Sequence, residues 1–200
     1  MKNLGIVVLA AGLSARMNGP NKLLLPWREK PLVAHVLAMA DQIDGARKAL
    51  ITHRDADQLN ALLEGLDGWT CLVNADTHSG LSSSLKLGLA ELAGCTSVLV
   101  LLADMPDITK STLKHLVEAA REGDYAVVPS FAGQWGNPVL LQKDAIADCA
   151  FLRGDQGARH LLSAHRDKVR VVEVDDQAIV RDFDSARDFD ANPSALNQES

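Results

Sequence analysis

Four strand-like runs stand out along the first half of the chain, at 5–10, 47–52, 69–73 and 97–103, and the apolar stretch Ile6–Leu9 in the first of them reads as a buried strand. Between them the apolar residues recur three or four apart, which is the spacing of one helical face. Pro31 suits a first helical position, and Val33, Val36, Leu37 and Ala40 follow on one face. A second helix is expected from near Asp55, with Leu59, Leu62, Leu63 and Leu66, and a third from about Leu81, with Leu85, Leu89 and Leu92. A fourth starts near Thr109 and turns Leu113, Leu116, Val117 and Ala120 inward before the extended stretch Tyr125–Pro129. There the rhythm changes. A glycine-containing turn at 132–136 joins two extended pieces and predicts a hairpin added to the sheet. Helical pieces near 143–149 and 156–165 come next, then a strand at 169–174 whose mixture of valine with Arg170 and Glu173 marks an exposed edge. Strands alternating with helices imply parallel βαβ units and a sheet covered on both sides.

No repeat or linker divides the chain, and the polar end beyond Asp190, with Asn192, Pro193 and Ser194, reads as a disordered tail. The expected organisation is one domain over 1–190 and a tail over 191–200. Composition agrees: 47% hydrophobic and 23% charged residues among 200 describe an ordinary globular chain. A net charge of −6 argues against non-specific nucleic-acid or anionic-membrane partners. No run approaches the roughly 18 apolar residues of a membrane span. The first apolar run is short and has no cleavage pattern after it, so it reads as a strand and not a signal. Cys71, Cys95 and Cys149 are odd in number and lack metal-ligand spacing, which suggests reduced core thiols in a cytoplasmic protein. The histidines have no metal-site spacing, and none is assigned a catalytic role.

Ligands of parallel sheets bind outside the carboxyl ends of the strands. Gly12, Asn74 and Asp104 all fall just past such ends, so one crevice is expected to hold all three. The stretch from Leu9, Ala10, Ala11 and Gly12 to Arg16, Lys22 and Pro26 offers the most chemistry. Gly12 lets backbone N–H groups approach an anion, and Arg16 and Lys22 add two positive charges. These features suit a nucleoside triphosphate, whose charge must be neutralised before its α-phosphorus is attacked. A P-loop is excluded because Leu23, not Ser or Thr, follows Lys22, and the Gly-x-Gly-x-x-Gly spacing of dinucleotide folds is missing here. Asp104 follows the most apolar run, where rigid structure would orient it as a Mg²⁺ ligand; a helix-capping or turn aspartate is the plainer alternative. Asn74 can read a base or ribose through its amide, while the serines at 82–84 are either phosphate-facing or simple caps.

Taken together, Leu9–Gly12, Arg16, Lys22 and Pro26 resemble the L-A-[AG]-G-x-S-x-R-M-G-(x)n-K-L-L-L-P signature of the MobA-like nucleotidyltransferases, and the Ala-Ala-Gly form resembles the molybdenum cofactor cytidylyltransferases. The resemblance runs from Leu4 to about Phe189. It implies a three-layer α/β/α Rossmann-like nucleotidyltransferase fold and transfer of CMP from CTP to a molybdopterin-type cofactor, with a molybdoenzyme receiving the product. Asp104-Met105-Pro106 matches the family's metal motif, with Ala103 where relatives usually have Gly. Asp184 resembles a second Mg²⁺ ligand, with Asp182 as its competitor; a solvated acidic turn is the alternative. Asn74, Gly80 and Ser84 match a nucleotide-binding segment. Trp135, Gly136, Asn137 and Pro138, together with Asp155, Gly157 and Arg159, resemble two acceptor-side motifs, in which Arg159 would fork a phosphate and Trp135 would either stack on a heterocycle or only pack. Guanylyl-transferring relatives tend to have Gly where Ala11 stands, so the methyl is expected to favour CTP. Transfer of GMP, transfer to a sugar or alditol phosphate, and a non-catalytic cofactor escort are the rival readings.

Overall fold

Successive residues of a strand face opposite sides of a sheet. Strand β1 (Leu4–Leu9) is buried along its whole length and uses both sides. Ile6 and Val8 enter one apolar cluster, and Val7 and Leu9 enter a second. The computed structural model describes residues 3–12, 21–53, 55–76, 79–183 and 188. After β1 the chain forms the short strands β2 (Pro26–Trp27) and β3 (Lys30–Pro31), then α1 (Leu32–Asp41), β4 (Arg47–Thr52), α2 (Ala56–Ala61) and β5 (Trp69–Val73). It continues through α3 (Leu81–Glu91), β6 (Ser97–Leu102), α4 (Lys110–Ala119), β7 (Ala126–Phe131), β8 (Gln134–Trp135) and β9 (Val139–Gln142). The last elements are α5 (Lys143–Asp148), α6 (Ala158–Ala164) and β10 (Val169–Glu173).

The main sheet has eight strands in the order β10-β7-β9-β6-β1-β4-β5, with β8 paired to β7. Pairings of β1 with β4 and β6, of β4 with β5, and of β10 with β7 are parallel. Leu32, Val36 and Leu37 of α1, Leu59 of α2 and Leu113 and Leu116 of α4 fill the first cluster. Leu85 of α3, Ala145 of α5 and Leu162 of α6 fill the second. Helices therefore cover both faces, and the architecture is the expected three-layer α/β/α.

The register fixes where a ligand can sit. Leu9 lies opposite both Ile51 and Leu102, and Thr52 lies opposite Val73. Strands β1, β4, β5 and β6 thus end along one edge, and Ala10, Asn74 and Ala103 step off it together. Backbone bonds carry the alignment one residue further, from Ala10 N–H to the Ile51 carbonyl (2.7 Å) and from Ala103 N–H to the Leu9 carbonyl (3.1 Å).

Three details differ from the periodicity. The second helix stops at Ala61, because the chain closes into turns that end with Gly65 at φ +81°, so Leu62, Leu63 and Leu66 pack from turns rather than from a helical face. The expected hairpin after β7 is present, and what periodicity could not give is its place: β9 runs antiparallel between β6 and β7, deep in the sheet, while β10 takes the edge. The β2–β3 ribbon was too short to leave a periodic signal. The three cysteines are unbridged; burial pushes the Cys149 thiol up to about 12, while Cys71 and Cys95 are half-buried. No helix among the described residues is long and apolar enough to cross a membrane.

Gly88 of α3 lies on the sheet so closely that a Cβ there would collide with Val7 and crowd Ile51. Forcing extra carbons into such a contact typically costs about 1–3 kcal/mol. Gly88→Val is expected to lower unfolding free energy by that amount in a denaturant titration, and an unchanged midpoint would show that α3 does not pack as described.

Candidate active site

Lys22 is positioned from its two neighbours. The Asn21 side chain accepts the Leu23 N–H (3.1 Å) and donates to Asp55 (3.1 Å), while Leu23 is buried in the first cluster. A short 3-10 turn, Lys22–Leu24, results, and its first side chain is sent across the ends of β1 and β6. The Lys22 ammonium lies 2.9 Å from Asp104 Oδ2 and donates to the Phe183 carbonyl at 2.7 Å. The Phe183 N–H in turn donates to the main-chain carbonyl of Asp104 (3.0 Å), and the buried Phe183 ring meets Trp27 edge-on at 4.7 Å. Lys22 and Asp104 retain only 12% and 22% side-chain exposure, so their charges interact with little solvent screening.

The sequence places Lys22 and Asp104 in one expected site and the structure brings their side chains into contact, while the Phe183 carbonyl goes unseen because a main-chain oxygen leaves no signature in residue type. Arg16 and Asp184 lie outside the described residues, as does the rest of the loop at 13–20. Asp182, the rival of Asp184, is exposed beside Phe183. Leu9, Ala10 and Ala11 are buried, with Ala11 in the second apolar cluster, whereas Gly12 is exposed and a Cβ there would meet none of the described residues within 4 Å. The Ala11 methyl therefore faces core atoms, and any influence on a bound base passes through the backbone it seats.

Asn74 occupies a different position from that of a base reader. Its amide donates to Ser83 Oγ (2.8 Å) and Ser84 Oγ (2.9 Å), and its Oδ1 accepts the Asp76 N–H (2.9 Å). Both amide hydrogens are thus spent inside the segment, and Asn74 and Ser84 are buried. Together they brace the turn that leads from β5 into α3. Gly80, at φ +72°, lets that turn touch the next loop: a Cβ would strike the Gly154 backbone and Asp155, and Ser82 N–H donates to the Gly154 carbonyl. Gly157 meets Leu81 in the same way.

The acceptor-side motifs continue this contact around the edge. Arg159 of α6 is exposed and donates to the Trp135 carbonyl (2.8 Å), and the Arg166 guanidinium lies 5.0 Å from the centre of the Trp135 ring. One region of the indole is therefore already engaged by a cation. Gly136 packs directly on Ile179, and Asn137 N–H donates to the Ile179 carbonyl (2.8 Å) next to the cis Asn137–Pro138 bond. Ile179 lies in the segment that leads to Phe183. Among the described residues a continuous line of contacts therefore runs from Lys22, Asp104 and Phe183 by way of the Ile179 segment to Gly136 and Trp135, then to Arg159, and from Asp155 and Gly157 to the turn of Gly80 and Asn74.

Comparison with known proteins agrees with this fold. The model of the MobA-like NTP transferase domain matches residues 6–169. The purine catabolism protein PucB of Bacillus subtilis is 31% identical over 96% of this chain and 96% of its own. The bifunctional protein GlmU of Burkholderia ambifaria is 33% identical over 62% of this chain, a match that spans only 27% of that longer protein. Rv0371c of Mycobacterium tuberculosis H37Rv superimposes with a TM-score of 0.81 at 27% identity, covering 94% of this chain and 96% of that one. Its complex with manganese gives 0.76 at 26% identity, covering 95% and 100%.

Gly80 and Gly12 make a contrast. Gly80→Ala places a side chain at φ +72° against the Gly154 backbone, strain of a kind that costs about 1–3 kcal/mol. Gly12→Ala meets no neighbour among the described residues and should stay within about 0.5 kcal/mol of wild type. Thermal melts of the two variants check this, and equal midpoints would mean that the Asn74–Ser84 turn does not rest on the 154–157 loop.

Proposed function

The chain belongs to the MobA-like NTP transferase family, and on that premise we propose that it moves CMP from CTP to the phosphate of a molybdopterin-type cofactor, releasing pyrophosphate. The observation that carries the proposal is the junction of Lys22, Asp104 and the Phe183 carbonyl at the ends of β1 and β6. Two oxygens there converge on one cationic nitrogen, at 2.9 and 2.7 Å, which is the donor chemistry of a hard cation. No group of three or more His, Cys, Asp or Glu side chains able to hold a metal occurs among the described residues. Mg²⁺ suits such a sparse site, because it is commonly held by one or two carboxylates with substrate phosphates and water completing the shell. Asp104 is its proposed ligand with Asp184, and when bound it would supply charge neutralisation at the α-phosphate and the departing pyrophosphate.

The protein's own part is positioning and charge. A phosphate monoester has a second pKa of about 6, so the attacking oxygen is already ionised at neutral pH and no general base is required. Lys22 and Arg16 are proposed to draw charge from the triphosphate as the bond to the α-phosphorus forms and the bond to pyrophosphate breaks. Leu9–Gly12 seats the base, and the line of contacts from Trp135 to Arg159 receives the acceptor. The preference for cytosine rests on the Ala-Ala-Gly form of the loop. Because the Ala11 methyl is buried, we assign it a spacing effect on the backbone beside the base.

Competition between equal CTP and GTP, with a molybdopterin-type acceptor and pyrophosphate detection, tests both levels. CTP is expected to win, with Ala11→Gly narrowing the preference without reversing it, since a methyl-sized difference is worth about 1–3 kcal/mol. Lys22→Ala and Asp104→Asn are expected to lose roughly a hundred- to a thousandfold in turnover, as preorganised charged groups do. Preference for GTP would overturn the cytidylyl assignment alone. Near-normal turnover in a folded Asp104→Asn would remove the metal role.

A further inference from the structure

Asp104 and the Phe183 carbonyl form a cradle whose shape does not depend on Lys22. Phe183 is pinned by its N–H to the Asp104 carbonyl, by its ring against Trp27, and by burial. Asp104 extends from a turn continuous with β6. The Lys22 backbone is held separately by Asn21 and Leu23. Only the four-carbon stem of Lys22 spans the gap, and such a stem swings easily while its ammonium acts as a compact point charge. We propose that Lys22 is an internal gate on the metal: in the nucleotide-free protein its ammonium occupies the cation position, and a divalent ion is admitted only with a triphosphate that draws the ammonium away.

This inference rests on reading the site as a nucleotidyltransferase centre, and it concerns the order of entry. A shielded carboxylate left without a partner is costly, so Asp104 needs a cation in every state of the cycle. Lys22 provides it when substrate is away. A divalent ion arriving alone meets a positive charge already within 3 Å of both of these oxygens, and no cluster of three or more ligating side chains among the described residues offsets it. A triphosphate changes both conditions at once. Its oxygens are strong acceptors for the ammonium, and they complete the metal's shell. The protein thus avoids holding metal in an empty site and takes it up as the metal–nucleotide complex.

The test is a Mn²⁺ titration of the nucleotide-free, full-length protein, with free Mn²⁺ read by electron paramagnetic resonance and folding checked by circular dichroism. Wild type is expected to bind weakly. Lys22→Met and Lys22→Gln, the second keeping a neutral donor for the Phe183 carbonyl, should each bind about tenfold tighter or more, the effect expected when a like charge is removed at contact distance. Adding Asp104→Asn to either should remove the gain. Equal or weaker binding in any folded Lys22 variant, or a gain that survives Asp104→Asn, overturns the gate. No nucleotide or acceptor enters the measurement, so it can fail while the proposed transfer stands, and it can succeed if the substrates prove different.

Discussion

A single ammonium joins three distant parts of this chain. Lys22 reaches Asp104, 82 positions away, and the Phe183 carbonyl, 161 positions away, across the ends of β1 and β6. Such a contact exists only if the parallel sheet is in register, because Asp104 is placed by the pairing of β1 with β6 and Phe183 by the segment beyond β10. The charge is shielded, so each partner is costly to remove alone. The same shielding lets a few charged groups act strongly on a phosphate chain.

Around this junction the other loops are arranged by contact between backbones. Gly80 against Gly154, Gly157 against Leu81 and Gly136 against Ile179 are approaches that a Cβ would block. The turn that starts α3 therefore rests on the loop that starts α6, and the β8 turn rests on the segment that leads to Phe183. Distant motifs meet through these glycine contacts, and their separation along the chain follows from the strand order.

Much of this was legible before any coordinates. The apolar runs of β1 and β6 announced buried strands, and the clusters holding Ile6 with Val8 and Val7 with Leu9 are the physical meaning of that pattern. Lys22 and Asp104 were legible because charge beside an apolar run is uncommon enough to carry information. The insertion of β9 between β6 and β7 was not, since local periodicity says nothing of which strand a hairpin pairs with. Asn74 was legible as a polar residue past a strand end, but its amide is consumed by Ser83 and Ser84, and only the packed turn reveals that. Ala11 was read as facing a base, yet its neighbours in three dimensions are core side chains. The Phe183 carbonyl was invisible in principle, as every residue has one.

The central claim is that the site neutralises charge around the α-phosphate so that a nucleotidyl group, and not a phosphoryl group, moves. CTP carrying a radioactive label at either the α- or the γ-phosphate, incubated with the molybdopterin-type acceptor and Mg²⁺, distinguishes the two. The account predicts that α-label appears in the acceptor and γ-label leaves as pyrophosphate. Gamma-label on the acceptor, or its release as inorganic phosphate with the α-label left on a nucleoside diphosphate, would contradict it.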